Sequence, residues 1–367
     1  MTLKTELDQA RNNIKTDSYP ISIRELVLLY KDGELDIHPE FQRFLRWTIK
    51  QKTNFIESIL LGIPIPSIFV FQRDDGVLDV VDGLQRISTI LQFMGELKDE
   101  EEKLMPPLTL EAAQYLPSLK DKVWDLENPN TVGPEIQKFF RQEKIDIKFL
   151  LRDSDSQAKY ELFQRVNTGG TPLSDQEVRN CILIMINSEA FREFEELSKN
   201  EDFQTACPIP EKALMERYDL EIVLRFLILR SIPIDDVKEI GDLGQFLTTQ
   251  MRLEFAREEF SLEKDRDLFN RTFCILREAA DDSSLRRYDP NKKRFVGPFL
   301  ISAFEMVALG VAYNIDLVEE YGAEWLREKI CGAWSDERTQ GIYGQGVSTA
   351  RRLPKTLEFG RNFFSEA

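Results

Sequence analysis

The chain has 367 residues, with 48 Lys and Arg against 64 Asp and Glu, a formal charge of −16, and 42% hydrophobic residues. This is a globular composition that excludes a disordered or fibrous chain, and the length points to more than one domain. The charge argues against a general nucleic-acid coat, which draws its affinity from clustered Lys and Arg.

Along the chain, residues 5–15 carry Leu7, Ala10 and Ile14 at helical spacing in a polar stretch. Ser22 is placed to N-cap a helix over 24–30 that Gly33 ends, and Thr48 opens a second helix through Phe55, Ile56, Ile59 and Leu60 to Gly62. Ile63-Pro64-Ile65-Pro66 cannot be helix interior, because neither proline donates an N–H and each drives its predecessor towards extended geometry. Two β-rich runs at 67–72 and 77–81 flank Arg73-Asp74-Asp75-Gly76, a hairpin signal. A turn at Asp82-Gly83 leads into an amphipathic helix over 84–94, with Ile87, Ile90, Leu91 and Met94 on one face.

Residues from about 97 to 143 are charged and proline-bearing and read as an insertion, with short helices at 110–115 and 134–141. Ile145, Ile147 and Phe149 alternate with polar residues and predict a third strand over 144–150. A helix over 156–166, the turn Asn167-Thr168-Gly169-Gly170, and a helix capped by Ser174 follow. Beyond about 190 the periodicity is helical, at 219–229, 246–260, 265–280 and 299–313. The expectation is an α+β domain over 1–188 and an all-helical domain over 189–367.

A single histidine, His38, leaves no ligands for a His-rich zinc or HNH-type nuclease centre, and no nucleophile adjoins it. Four scattered cysteines without a Cys-x-x-Cys pair read as reduced core thiols. The N-terminus has no apolar signal region and no apolar run reaches the roughly 18 residues of a membrane span, so a cytoplasmic protein with no membrane partner is expected.

The chemistry concentrates at three places. In Val80-Val81-Asp82-Gly83-Leu84-Gln85-Arg86 a strand ends in a carboxylate, then a glycine, then a helix start with an amide and a guanidinium. Such a junction suits a phosphate: the glycine admits close approach, the helix start offers unpaired N–H groups, and Arg86 adds a planar fork. Asp82 is then the candidate ligand for a divalent cation. Pro39-Glu40-Phe41-Gln42-Arg43 contributes a second amide–guanidinium pair, and Asn167 to Gly170 has the polar, glycine-bearing character of a pocket edge. Against each stands a purely structural alternative: an Asp-Gly turn, a surface arginine, a helix C-cap.

Taken together, the Phe41-Gln42-Arg43 element, the 55–66 helix with its Ile-Pro-Ile-Pro exit, Asp82-Gly83-Leu84-Gln85-Arg86, and Asn167-Thr168-Gly169-Gly170 with Glu177-Val178-Arg179-Asn180 resemble one family. It is the bacterial family called domain of unknown function 262, the N-terminal domain of GmrSD-type and SspE-type defence proteins. The resemblance covers roughly residues 20 to 185. It implies a ParB/sulfiredoxin-like fold, a small mixed sheet with helices. It also implies NTP binding or hydrolysis with Mg2+ in defence against phage or modified DNA. Its signature, Asp-Gly-Gln-Gln-Arg, falls on Asp82, Gly83, Gln85 and Arg86, with Leu84 in place of the first glutamine. Gln42, Arg43, Asn167, Gly169 and Gly170 match its other binding elements.

Three functional readings follow. The first is an NTPase with Asp82, Gln85 and Arg86 catalytic and Asp82 holding Mg2+. The second is a nucleotide-gated switch without turnover, acting on DNA or a protein partner. The third is a metal-dependent nuclease using Asp82 with Asp146-Ile147-Lys148, a carboxylate–lysine pattern. Two basic clusters are candidate DNA contacts: Arg286, Arg287, Lys292, Lys293 and Arg294, then Arg351, Arg352, Lys355 and Arg361. A separately encoded defence protein and a second copy of the chain are further candidate partners.

Overall fold

The computed structural model describes residues 2–4, 16–37, 47–73, 75–99, 101–151, 174–257, 260–339 and 348–366. The chain divides into two compact units, Met1–Pro172 and Leu173–Ala367. The architecture is mixed α+β in the first and mostly helical in the second.

The first unit is built on a five-stranded mixed sheet, comprising β1 (Thr16–Ser22), β2 (Leu35–Asp36), β3 (Ile68–Gln72), β4 (Leu78–Asp82) and β5 (Lys144–Leu150). Their order is β1-β5-β3-β4-β2, with β1 and β4 antiparallel to their neighbours β5 and β3, and β5–β3 and β4–β2 parallel. The β3–β4 hairpin closes at Gly76, whose φ of +91° needs no Cβ, and Asp75 accepts from the Val77 N–H at 3.0 Å. On β5, Ile145, Ile147 and Phe149 turn to the core while Lys144, Asp146 and Lys148 are exposed.

Helix α1 (Ile23–Lys31) starts at Ser22, whose hydroxyl accepts from the Glu25 N–H at 3.2 Å, and α2 (Ile49–Leu60) starts at a capping box between Thr48 and Gln51. Each helix stops as expected, with Gly33 and Gly62 at positive φ. Ile56 of α2 and Ile87, Ile90, Leu91 and Phe93 of α3 (Leu84–Met94) share one buried core with Ile68, Val70 and Ile147 of the sheet. Each such side chain contributes roughly 1.5–3 kcal/mol by leaving water.

Several local features differ from the expectation, the two-residue β2 among them. β1 was not foreseen, because it is an edge strand whose first five residues are exposed, so it shows no alternation, and only an edge tolerates Pro20. Residues 110–115 are not helical: the Glu111 N–H donates to Thr53, and the Tyr115 and Leu116 N–H groups both donate to the buried Glu57 at 2.7 Å. Side chains of α2 thus satisfy donors that a helix would have used internally. Leu108, Leu110, Leu119 and Phe140, the last from α4 (Pro134–Gln142), place the 97–143 stretch in the core. The helices expected over 5–15 and 156–166 lie outside the described residues.

In the second unit, α5 (Asp175–Ile186) begins with a capping box between Ser174 and Glu177. It packs with α6 (Ser188–Ser198), α9 (Tyr218–Leu229) and α11 (Leu243–Phe255), after the short α7 (Glu201–Ala206), α8 (Glu211–Met215) and α10 (Ile234–Lys238) are counted in chain order. Phe203, Phe226, Phe269 and Phe273 form an aromatic cluster between α7, α9 and α12 (Glu263–Ala280). Helix α13 (Ile301–Tyr313) contains a π-helical turn at Phe304–Ala308, α14 is Ile315–Ala333, and α15 is Thr349–Phe363. At the α13–α15 crossing a Cβ on Gly310 would stand 2.7 Å from the Gly360 backbone, so these helices touch only because both positions are glycine.

The all-helical expectation fails at one place. β6 (Arg287–Asp289) and β7 (Arg294–Val296) form an antiparallel hairpin, each too short to show alternation in the sequence. No single helix among the described residues is long and apolar enough to cross a membrane, and the four cysteines are free thiols.

Candidate functional site

The Asp82-Gly83-Leu84-Gln85-Arg86 run lies where the hairpin ends and α3 begins. The β3–β4 register shifts between Phe69 and Val70, so that Asp82 stands opposite Phe69 at the strand end. Gly83 then takes φ +105°, and a Cβ there would lie 2.9 Å from Ile68 Cγ1; backbone conformation and space both demand glycine. It serves as N-cap of α3, where a glycine supplies no side-chain cap.

Arg86 faces back across this turn. Its Nη1 donates to the Pro66 carbonyl at 2.6 Å and the Ser67 carbonyl at 3.0 Å, and its Nη2 donates to Asp82 Oδ2 at 2.5 Å. One guanidinium therefore ties together the Ile-Pro-Ile-Pro exit, the end of β4 and the first turn of α3. The Gln85 side-chain oxygen accepts from the Trp47 N–H at 3.3 Å, fixing the amide towards the segment that precedes α2. Arg86 thereby holds the start of α3 in place, with Asp82 only a quarter exposed beside it.

Residues 23–184 match the family model described as GmrSD restriction endonuclease, N-terminal domain. Over that stretch the chain is similar to a GmrSD-type N-terminal domain. No curated protein matches the chain.

Within the matched stretch, the structure brings Asp82, Gly83, Gln85 and Arg86 together; Gln42, Arg43, Asn167, Gly169 and Gly170 lie outside the described residues, as does His38. Among the described residues no group of three or more His, Cys, Asp or Glu could hold a metal ion. Asp82 offers one carboxylate with Oδ2 on Arg86. That donor set builds no all-protein cage; it fits Mg2+ only where substrate phosphates complete the coordination.

Asp146 and Lys148 sit together on the exposed face of β5, as their alternation predicts. Lys148 pairs with Phe69, its Nζ 5.1 Å from the ring centre, and Asp82 pairs with Phe69 from the other side. Carboxylate and lysine are thus two strands apart with an aromatic ring between them. Sequence reasoning missed the Pro66 and Ser67 carbonyls as partners of Arg86. The double proline was the available signal, since an extended segment leaves carbonyls in need of donors.

The family match reaches into α5, whose Glu177-Val178-Arg179-Asn180 packs inside the second unit. Glu177 completes the helix cap, Asn180 accepts from Gln176, and Arg179, 2% exposed, donates to Gln176 and to Glu221 at 2.8 Å. Burial pushes the Arg179 guanidinium below its usual range, against the pull of Glu221 and Asp175.

The two basic clusters differ. On the hairpin, Arg286 pairs with Asp282 and Lys292 with Asp289, but Arg287, Lys293 and Arg294 are exposed and make no ion pair among the described residues. Tyr288 and Phe295 pack against each other, and Arg327 of α14 lies over the Phe295 ring. On α15, by contrast, Arg352 makes two bonds to the buried Glu305, and Arg361 donates to the carbonyls of Leu229, Arg230 and Ile232. Those two arginines are turned inward, leaving Arg351 and Lys355 exposed.

Proposed function

We propose that the chain is a restriction-type phage-defence protein whose GmrSD-type domain binds a nucleoside triphosphate at the β4–α3 junction and hydrolyses it. The observation that carries this reading is the uncapped start of α3 behind Gly83, within the matched residues. Backbone N–H groups at a helix start suit phosphoryl oxygens, and the helix macrodipole favours negative charge there. Arg86 keeps the junction in register, Gln85 is the amide nearest the helix start, and Asp82 would hold Mg2+ through its carboxylate. When bound, that ion would offset the charge on the phosphates. Gln42, Arg43, Asn167, Gly169 and Gly170 are the remaining contacts that the family resemblance supplies.

A second reading, nucleotide binding as a switch without turnover, is favoured by how Arg86 is used. All its bonds run to this domain's own carbonyls and carboxylate, as for a strut. The nuclease reading with Asp82, Asp146 and Lys148 draws support from the family's name, and less from a geometry that sets the groups two strands apart. DNA, the target of a restriction system, would meet the exposed cations of the β6–β7 hairpin in preference to α15. A cytoplasmic location and a separately encoded partner enzyme complete the proposal.

Phosphate release by the purified chain with each of the four NTPs and Mg2+ tests it. Turnover that falls at least a hundredfold in Asp82→Ala supports hydrolysis at the junction. Binding without release moves the reading to the switch, and DNA cleavage lost in Lys148→Ala moves it to the nuclease.

A further inference from the structure

The helical unit has a part-open cavity of about 330 Å3, bounded by α5, α9, α11 and the start of α15. This is the small end of the range for ligand pockets. Its wall carries two guanidiniums. Arg179 is 2% exposed, and the best acceptor its Nη1 finds is the Gly244 carbonyl at 3.5 Å, beyond a normal hydrogen bond. Arg225 Nη1 is buried with no hydrogen-bond partner, its nearest carboxylate oxygen on Glu305 lying 3.8 Å away. A buried donor left unmade costs free energy, and here one such donor belongs to an arginine that lines the cavity, beside a second arginine whose bond is long.

The surrounding charges explain why that donor is spare. Glu221 is shared, one oxygen bonded by Arg179 at 2.8 Å and the other by Arg225 at 2.6 Å. Glu305 is committed to Arg352 and Thr356. Three guanidiniums thus divide two carboxylates. The start of α15 also lines the cavity through Ser348 and Thr349, and Ser348 makes no capping bond. At the rim the carboxylates Asp175 and Asp242 are exposed, and Asp242 caps α11 through the Gln245 N–H. These rim carboxylates disfavour a bare anion and favour a molecule that brings hydroxyl or amino donors beside its anionic group.

We propose that this cavity binds a small phosphate monoester with a hydroxyl-bearing body, its phosphate between Arg179, Arg225 and the first turn of α15 and its hydroxyls towards Asp175 and Asp242. The site is separate from the β4–α3 junction and does not depend on nucleotide binding there. Ribose 5-phosphate and the nucleoside 5′-monophosphates are the probes, with inorganic phosphate as the reference.

Titration calorimetry on the full chain tests it, with thermal melting to check that each variant is folded. Arg225→Gln removes the spare donor. Gly244→Ala is the companion, since Gly244 lies in α11 without positive φ and is a lining residue; its Cβ would come to 3.3 Å from Asp242 Oδ1, 3.5 Å from Asp175 and 3.9 Å from Arg179 Nη1, so the Asp242 side chain gives by a few tenths of an ångström. The expected result is binding of a monoester more tightly than inorganic phosphate, weakened at least tenfold in Arg225→Gln and several-fold in Gly244→Ala, and unchanged in Arg86→Ala. No binding of any probe by the folded chain overturns the proposal, as does binding that both cavity variants leave intact or that Arg86→Ala abolishes.

Discussion

Arg86 and Arg179 are both largely buried and both belong to the stretch matched by the GmrSD family model, yet they are held by opposite means. Arg86 is fixed mainly by backbone: two carbonyls of the Pro66–Ser67 exit and one carboxylate four residues away. Arg179 is fixed by side chains, in a relay that runs through Glu221 and Arg225 towards Glu305 and Arg352. Carbonyl bracing holds a turn in one conformation and consumes the arginine's donors. A carboxylate relay buries charge, with each member depending on the next, and can leave donors over. The first unit therefore uses its arginine to shape a turn, while the second leaves a cationic donor unmade on an arginine that lines a cavity.

The sharpest way to break this contrast is to remove a relay carboxylate. Glu305 is fully buried and lies in the π-helical turn. Glu305→Ala strands the Arg352 guanidinium and should cost about 3–5 kcal/mol in chemical denaturation. A loss no greater than that of an exposed ion pair would mean the relay carries no structural weight.

Next comes the backbone side of the comparison. Gly83→Ala forces a side chain into φ +105° and against Ile68, and should cost about 1–3 kcal/mol, read as lower denaturant resistance of the first unit. An unchanged midpoint would show that the junction does not require its left-handed turn.

The smallest expected effect is on pH dependence. Burial raises the Cys207 thiol well above its ordinary value of 9.0, so between that value and the raised one the unfolded chain gives up a proton the folded chain keeps. This thiol's contribution is complete below about 9 and falls as pH rises further. Cys207→Ala should flatten the alkaline decline of the second unit's unfolding midpoint, and an equally steep decline would assign it elsewhere.

Much of this was legible in the residues themselves. Ser22, Thr48 and Ser174 cap the helices their patterns announced, Asp75-Gly76 turns the hairpin, and the alternation of β5 is visible in five letters. What stayed hidden was long-range. Nothing local says that Arg86 would donate to Pro66 and Ser67, twenty and nineteen residues back, or that an exposed edge strand at Thr16–Ser22 would pair with Lys144–Leu150. The α15 arginines were readable but misread as one cluster: Arg361 follows Leu353 and Leu357 at helical spacing, on the buried stripe, whereas Arg351 and Lys355 fall off it.

The most direct test of the account is NTP binding to the intact chain compared across two variants, Arg86→Ala in the first unit and Arg225→Gln in the second. The account predicts that triphosphate binding is lost, at least tenfold, in Arg86→Ala and kept in Arg225→Gln. Binding that survives in Arg86→Ala and disappears in Arg225→Gln would contradict it, placing the triphosphate in the helical unit and leaving the β4–α3 junction a structural turn.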